Sequence, residues 1–227
     1  MGSLLQRGYF FQFWFFGALI LIYLCLPILK KFLKSKKRYL LILSVLVIIG
    51  LVVELTNILL QMPVQVYVIQ TFRLWTWFFY YILGGFLAQF SLDTLKKCFR
   101  SWMKEITVVL LFASPLILFM LAKYIHHNLF AEYFYDSIFV KVISLGTFLT
   151  VLTFDLNTDK NRWIIYLSNQ TMGVFIIHTY VMKVWEKSVG FSFAGAHLLF
   201  LIFTLSVSFI VVGILMKIPY FNRIVKL

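Results

Sequence analysis

Three polar side chains break into one long apolar stretch of the sequence. Glu54 lies within residues 39–60, and Asn57 and Gln61 follow at positions i+3 and i+7, so a helix would place all three on one face. A carboxyl group within hydrocarbon is energetically costly, and such residues usually face a cavity or a polar partner. This face therefore serves either as hydrogen-bonding contact between helices or as part of a substrate site.

An arginine precedes the most aromatic stretch of the chain. Trp77, Tyr80 and Gly84 follow Arg73 at i+4, i+7 and i+11, which predicts a guanidinium beside an aromatic wall. Such a wall suits a sugar or a phosphate group. The alternative, which the pattern favours, is an interfacial anchor within an aromatic belt. Gly84 and Gly85 are predicted to let helices pack closely.

His178 lies near the middle of an apolar segment and shares a helical face with Thr171. It could act as an acid, a base or a packing hydrogen-bonder, of which packing is favoured. The other three histidines have no partners at metal-ligand spacing, so no metal site is predicted.

Composition determines which elements must position these side chains. Of 227 residues, 62% are hydrophobic and only 13% are charged, whereas a soluble chain carries roughly 25% charged residues. Such a chain lacks a polar coat, so the lipid bilayer is its expected solvent. The net charge of +13 is concentrated between the apolar runs rather than along one face, which argues against nucleic acid as a partner.

The apolar runs predict an all-α, polytopic membrane helix bundle of about seven transmembrane helices. A helix that crosses about 30 Å of hydrocarbon needs about 20 apolar residues. Seven segments qualify or nearly do, labelled A to G: 9–29, 39–60, 74–90, 106–122, 138–154, 171–185 and 194–216. Polar residues 168–171 are predicted to supply the N-cap of F, and 163–167 could extend it. Residues 1–227 are expected to form a single transmembrane domain.

Lysine and arginine positions orient this bundle. If the seven spans alternate, fifteen of the 21 basic residues lie on one side, within 30–38, 96–104, 160–162 and 217–226. Basic residues resist translocation, so this side is predicted to be cytoplasmic, with the N-terminus outside and the C-terminus cytoplasmic. The other six are Arg7, Arg73, Lys123, Lys141, Lys183 and Lys187. Several of them flank helix ends, from which a long side chain is expected to reach the headgroups.

Four strings together resemble the membrane-bound acyltransferase 3 family. They are residues 13–19 leading into Tyr23, Leu24 and Pro27; residues 73–85; residues 167–178; and the closing Lys217, Ile218 and Pro219. Each string is unspecific alone, but their order and spacing cover nearly the whole chain. The family usually has about ten helices, and this chain resembles helices four to ten.

The resemblance implies a membrane-embedded O-acyltransferase that moves an acyl group, often acetyl, from acyl-CoA (acetyl-CoA) to hydroxyls of a cell-surface polysaccharide or other glycan, with no bound cofactor. The family's catalytic histidine and partner arginine belong to the first helices, and nothing before Tyr9 is equivalent. The chain is therefore expected to be truncated at its N-terminus relative to the family. Gln12 and Thr179 replace a histidine and a proline that the family often carries.

Within this expectation, the substrate-binding candidates are Glu54, Asn57, Arg73, Trp77, Tyr80 and His178. The expected location is the cell membrane, crossed several times, and the expected partners are the lipid bilayer, the glycan acceptor, and an N-terminal companion segment or a homo-oligomer. An inactive or partial fragment is also compatible with the residues. Two other functions stay open: a transporter or flippase for lipid-linked glycans, and a non-catalytic membrane assembly subunit.

Overall fold

The computed structural model describes residues 2–5, 11–125, 127, 134–154, 162–191 and 195–220. These ranges contain helices and turns and no β-strand, which confirms the all-α prediction. The chain divides into two units, Met1–Phe154 and Asp155–Leu227.

Nine α-helices lie within the described residues. The first unit holds α1 (Trp14–Phe32), α2 (Lys36–Leu60), α3 (Leu74–Leu87), α4 (Leu92–Cys98), α5 (Ser101–Met120) and α6 (Ile138–Thr153). The second unit holds α7 (Arg162–Ser168), α8 (Thr171–Ser188) and α9 (Ala196–Leu215). Short 3-10 helices occur at Gly2–Leu5, Phe11–Phe13, Val64–Tyr67 and Gln70–Phe72, and a π-helical turn, Leu121–Ile125, continues α5.

Four helical stretches are long and apolar enough, by length and composition, to cross a membrane: Phe11–Phe32, Lys36–Leu60, Ser101–Ile125 and Ala196–Leu215. They coincide with predicted segments A, B, D and G. Segments C and E are the shorter apolar helices α3 and α6, and F is α8, which carries three charged residues near its end. The count of seven spans and the orientation of the termini stay predictions. Several residues used in those predictions lie outside the described residues: Arg7, Tyr9, Lys160, Ala194, Arg223 and Lys226.

The helix boundaries differ from the predicted ones at the end of α3 and before α8. Segment C was expected to reach residue 90, but α3 ends at Leu87 and the Ser91 hydroxyl accepts the Thr94 N–H at 3.3 Å to start α4. Before α8, Gln170 occupies the N-cap and its side chain makes no capping hydrogen bond. Residues 163–167 belong to the separate helix α7 rather than to an extension of α8.

Packing in the first unit depends on an apolar cluster and on close approaches at glycine. Leu43 of α2 packs with Phe79 and Ile82 of α3, and these three side chains are buried. Helices α5 and α6 meet at Gly146, where an added Cβ would lie only 2.7 Å from Oγ1 of Thr107. A residue without a side chain is therefore required at this contact.

The second unit is held by the contact between α8 and α9. Trp185 of α8 is 7% exposed, lies 5.1 Å from the Phe203 ring of α9, and donates its indole N–H to the Gly190 carbonyl at 3.0 Å. On α9 the buried face contains Thr204 and Ser208, spaced by one helical turn.

Replacement of Gly146 by alanine tests the α5–α6 contact. Gly146→Ala should lower the thermal unfolding temperature of the detergent-purified protein, because its Cβ would overlap both Oγ1 and Cγ2 of Thr107. Overpacking of this kind costs about 1–3 kcal/mol. Adding Thr107→Ala should recover most of the loss.

Gly84→Ala is the matched control for this experiment. A Cβ at Gly84 meets nothing within 4 Å, and alanine favours a helix over glycine by about 1 kcal/mol. Equal destabilisation by the two single variants would contradict the described packing.

Candidate functional site

The connection between α2 and α3 folds back on α2. The helix ends at Leu60, and Gln61 adopts the left-handed conformation with φ 52°. One turn earlier, Oδ1 of Asn57 accepts the Val64 N–H at 2.8 Å, and Asn57 is 2% exposed. Of the predicted polar face, Glu54 and Asn57 therefore lie in α2, whereas Gln61 lies just beyond it. The Asn57 side chain is hydrogen-bonded to the first residues of the connection.

Arg73 is turned into this connection. Its side chain is 4% exposed, Nε donates to the Val68 carbonyl and Nη2 to the Gln65 carbonyl, both at 2.9 Å. Hydrogen bonds from a charged donor are stronger than neutral ones. Arg73 immediately precedes α3, so these two hydrogen bonds attach the 3-10 helix Val64–Tyr67 and the following Val68 to the start of α3.

A buried carboxylate lies beside the same connection. Asp136 is 5% exposed, and its carboxylate accepts hydrogen bonds from the Gln65 amide at 2.9 and 3.0 Å and from the Trp75 indole N–H at 3.2 Å. A buried carboxylate is tolerated only where donors replace its hydration. Asp136, Gln65 and Trp75, together with Lys141, form what we call the buried polar cluster.

Lys141 is the cation of this cluster. It is 3% exposed, and Nζ donates to the Asp136 carbonyl at 2.6 Å and lies 5.1 Å from the centroid of the Phe79 ring. Gly50 of α2 faces it, and any Cβ at Gly50 would collide with Nζ. The interpretation that lysines such as this one extend to the headgroups is wrong for Lys141, because its ammonium group is buried between helices.

Glu54 contacts the beginning of α6. Its side chain is half-buried, and Oε2 accepts the Ile138 N–H at 3.2 Å. The first N–H groups of a helix have no partner within the helix and attract negative charge. Of the two interpretations of Glu54, this contact favours hydrogen bonding between helices.

Trp77 and Tyr80, predicted to form an aromatic wall beside Arg73, contact residues from elsewhere in the first unit, and we keep the name aromatic wall for Trp14, Trp77, Tyr80 and Tyr135. Trp77 stacks on Trp14 of α1 with ring centroids 4.8 Å apart, and Tyr135 lies 5.9 Å from Trp77. The Trp77 indole donates to the Gln70 carbonyl at 2.7 Å, and the Tyr80 hydroxyl donates to the Tyr135 carbonyl at 2.9 Å. The polar atoms of Trp77 and Tyr80 therefore fix the wall in place.

His178 belongs to the second unit. Its Nδ1 lies 3.1 Å from the Val174 carbonyl oxygen one turn earlier, and its ring lies 5.8 Å from that of Phe175. The tautomer with a proton on Nδ1 makes this hydrogen bond, in agreement with the packing role that the sequence favours. The substrate-binding roles of His178 and the other five candidates stay predictions.

The prediction that Gly84 permits close helix packing is wrong. A Cβ at Gly84 meets nothing within 4 Å, and one at Gly85 makes only an ordinary 3.6 Å contact with the Tyr39 ring. Both glycines line a cavity of about 630 Å³ between α1 and α3, into which Tyr80 also projects. Here the missing side chains leave space rather than remove a clash.

Asp136, Lys141, Gln65 and Trp75 were missed by the sequence analysis. The available signal was the single lysine inside the apolar segment 138–154, since an ionisable residue within such a segment usually has a polar partner. Asp136 gave a weaker signal because it precedes that segment. Within the described ranges, the side chains of His, Cys, Asp and Glu form no group of three that could hold a metal ion.

Comparison with protein-family models gives a match. Residues 1–216 match the acyltransferase 3 family model, described as an acyltransferase domain. A search of curated proteins and a search of solved structures gave no match. The matched range includes the buried polar cluster, the aromatic wall and His178.

Arg73→Lys tests the attachment of the connection. A lysine has one ammonium group and cannot reproduce the fork that reaches two carbonyls, so backbone amides 64–72 should exchange hydrogen faster. Hydrogen exchange followed by mass spectrometry of the purified protein measures this. Arg100→Lys, at an exposed position, is the control, and unchanged protection in Arg73→Lys would show that the fork is dispensable.

Gly50→Ala tests the placement of Lys141. In the unmodified background it should cost about 1–3 kcal/mol of stability, because the methyl group displaces the ammonium from the Asp136 carbonyl. In a Lys141→Ala background the same change should cost markedly less, since the colliding group is gone. Equal losses in both backgrounds, measured by thermal unfolding in a double-mutant cycle, would contradict this geometry.

Proposed function

The chain belongs to the acyltransferase 3 family of membrane acyltransferases, and we propose that it transfers an acyl group, acetyl in particular, from acyl-CoA to a hydroxyl of a cell-surface polysaccharide or other glycan. The observation that carries this proposal is the family match over residues 1–216, nearly the full 227-residue sequence. The proposed location is the cell membrane, crossed several times.

The proposed reaction is an ester exchange. The acceptor oxygen attacks the thioester carbonyl carbon, the C–O bond of the new ester forms, and the C–S bond to CoA breaks. The hydroxyl proton passes to a base and then to the departing sulfur, which leaves as the CoA thiol. The base would be a catalytic histidine of the kind that the family carries in its first helices.

The residues of this chain would bind and position the acceptor. Trp14 and Trp77 are partly exposed and stack on each other, and Tyr135 beside them is 41% exposed. Flat apolar rings suit the C–H faces of a sugar, while polar groups around them fix its orientation. Arg73 and Asp136 would act indirectly, because Arg73 donates to the Gln65 carbonyl and Asp136 accepts from the Gln65 side-chain amide, in the same connection whose Gln70 carbonyl accepts the Trp77 indole N–H.

In the proposed orientation, donor and acceptor approach the reaction site from opposite sides of the membrane. The basic stretches, including 30–38 and 96–104, face the cytoplasm, where acyl-CoA is available. The α2–α3 connection and the aromatic wall then lie at the outer face. A glycan on the cell surface can reach that face without crossing the membrane.

An acetylation assay in cells tests this function. The chain is expressed alone and fused in frame to the first helices of a family member, and base-labile acetate is measured on purified surface glycan. We expect transfer by the fused form. No transfer by a folded fused form would contradict the proposal, and loss of the glycan itself would favour a flippase.

Substitution in the aromatic wall distinguishes a role in acceptor binding from the role of a non-catalytic assembly subunit. With the purified fused form, Trp77→Ala should raise the KM for the acceptor roughly tenfold and leave the KM for the donor unchanged, since the ring and the hydrogen bond that fixes it both belong to the proposed acceptor side. Tyr67→Ala, at a 77% exposed tyrosine of the same connection, is the matched control. Transfer that is indifferent to Trp77→Ala, Glu54→Leu, Arg73→Lys and His178→Ala would favour a non-catalytic assembly subunit.

A further inference from the structure

The cavity beside Gly84 is an open groove between α1 and α3. Its walls are leucine side chains of α1, the Tyr39 ring, and the glycine surface of α3, and its volume is about 630 Å³. A smaller cavity of about 220 Å³, lined by Ala18, Ile22 and Trp77 among others, follows the same two helices toward the aromatic wall. We call the larger cavity the α1–α3 groove.

Two features of the sequence keep this groove open. Pro27 lies inside α1, where it lacks the N–H of a normal helical residue and favours a bend. Gly84 and Gly85 leave α3 without side chains at the same level, and the position of a Cβ on Gly84 is empty to 4 Å. Glycine weakens a helix interior, and Gly84 is nevertheless placed where a side chain would meet no other atom, whereas a Cβ at Gly85 would contact the Tyr39 ring at 3.6 Å.

The size and polarity of the groove fit a hydrocarbon chain. Along α3 it extends from Tyr80 to Ala88, which is about 12 Å at about 1.5 Å per residue. One leaflet of a bilayer is about 15 Å deep, half of its hydrocarbon thickness. The Tyr80 hydroxyl is already bonded to the Tyr135 carbonyl, and the other polar side chains of the lining are Lys30, Tyr39 and Tyr81.

Positive charge is concentrated at one end of the groove. Lys30 lines this end, and residues 26–41 contain no Asp or Glu. The Nζ of Lys36 lies 4.3 Å from the centroid of the Phe90 ring, so the basic α1–α2 connection lies against the end of α3. An apolar groove with a cationic mouth complements a molecule with a hydrocarbon chain and an anionic head.

We propose that the α1–α3 groove binds one acyl chain of an anionic phospholipid, whose phosphate contacts Lys30. This site goes beyond the proposed acyl transfer and does not depend on it. CoA is also anionic, but the amides of its pantetheine arm need hydrogen-bond partners along their length, and leucines and glycines make up half of the lining. A phospholipid places its only strongly polar part at the mouth and its chain along the leucines.

Photochemical cross-linking of the full chain in phosphatidylcholine vesicles tests this proposal. The probe is phosphatidylglycerol with a photoactivatable group in the middle of one acyl chain, and labelled peptides are located by mass spectrometry. We expect labelling to be concentrated in α1 and α3 at the groove. Excess phosphatidylglycerol should compete at least fivefold better than excess phosphatidylcholine.

Two substitutions examine the chain and the head separately. Gly84→Leu fills the groove and should reduce labelling there at least fivefold, while labelling of the exposed leucines of α2 is unchanged. Lys30→Gln should lower the preference for phosphatidylglycerol about fivefold, the effect expected of one lysine near an anionic surface. Lys31→Gln, at an exposed position that does not line the groove, should have a much smaller effect.

Three outcomes would overturn the proposal. Labelling spread evenly over α1, α2 and α5 would show ordinary contact with the surrounding bilayer. Equal competition by the two lipids would remove the role of charge, and competition by CoA in place of phosphatidylglycerol would assign the groove to a thioester. If Gly84→Leu fails to fold, the comparison of Lys30→Gln with Lys31→Gln still decides the role of the head.

Discussion

Backbone groups that leave a helix within apolar surroundings must find hydrogen-bond partners in the same chain, and the first unit depends on how the α2–α3 connection meets this requirement. Asn57 accepts the Val64 N–H, while Arg73 donates to the carbonyls of Gln65 and Val68. Side chains thus replace the partners that the next helical turn would have provided. The aromatic wall depends on the same arrangement, because the Trp77 indole is bonded to the Gln70 carbonyl.

Helices could be predicted from the sequence more fully than the buried polar cluster. An apolar run of 17 residues or more indicates a helix through the sum of many weak preferences, so an error at one position changes little. The cluster depends on pairs that are distant in sequence: Gln65 and Asp136 are 71 residues apart, and Trp75 and Asp136 are 61 apart. A local sequence pattern does not show which distant residues will meet. Lys141 was therefore grouped with lysines near helix ends rather than predicted to be buried.

Glycine shows why residue type alone does not reveal packing. Gly50, Gly84 and Gly146 all lie in apolar helices. A Cβ would collide with Lys141 at Gly50 and with Thr107 at Gly146, yet it would meet nothing at Gly84. The difference comes from the facing helix, which the local sequence does not specify. The first two glycines bring elements together, and the third leaves a groove.

The buried positions of Arg73 and Lys141 also affect the argument from charge. Both residues were counted among the six basic residues opposite the predicted cytoplasmic side, yet Arg73 is 4% exposed and Lys141 is 3% exposed. Each is bonded to backbone carbonyls, and the ammonium of Lys141 lies beside Asp136. A basic residue that is buried inside the fold reflects internal packing, so it should not be counted with the loop residues that resist translocation. Without these two, the predicted distribution of basic residues changes from fifteen against six to fifteen against four, and the orientation stays a prediction.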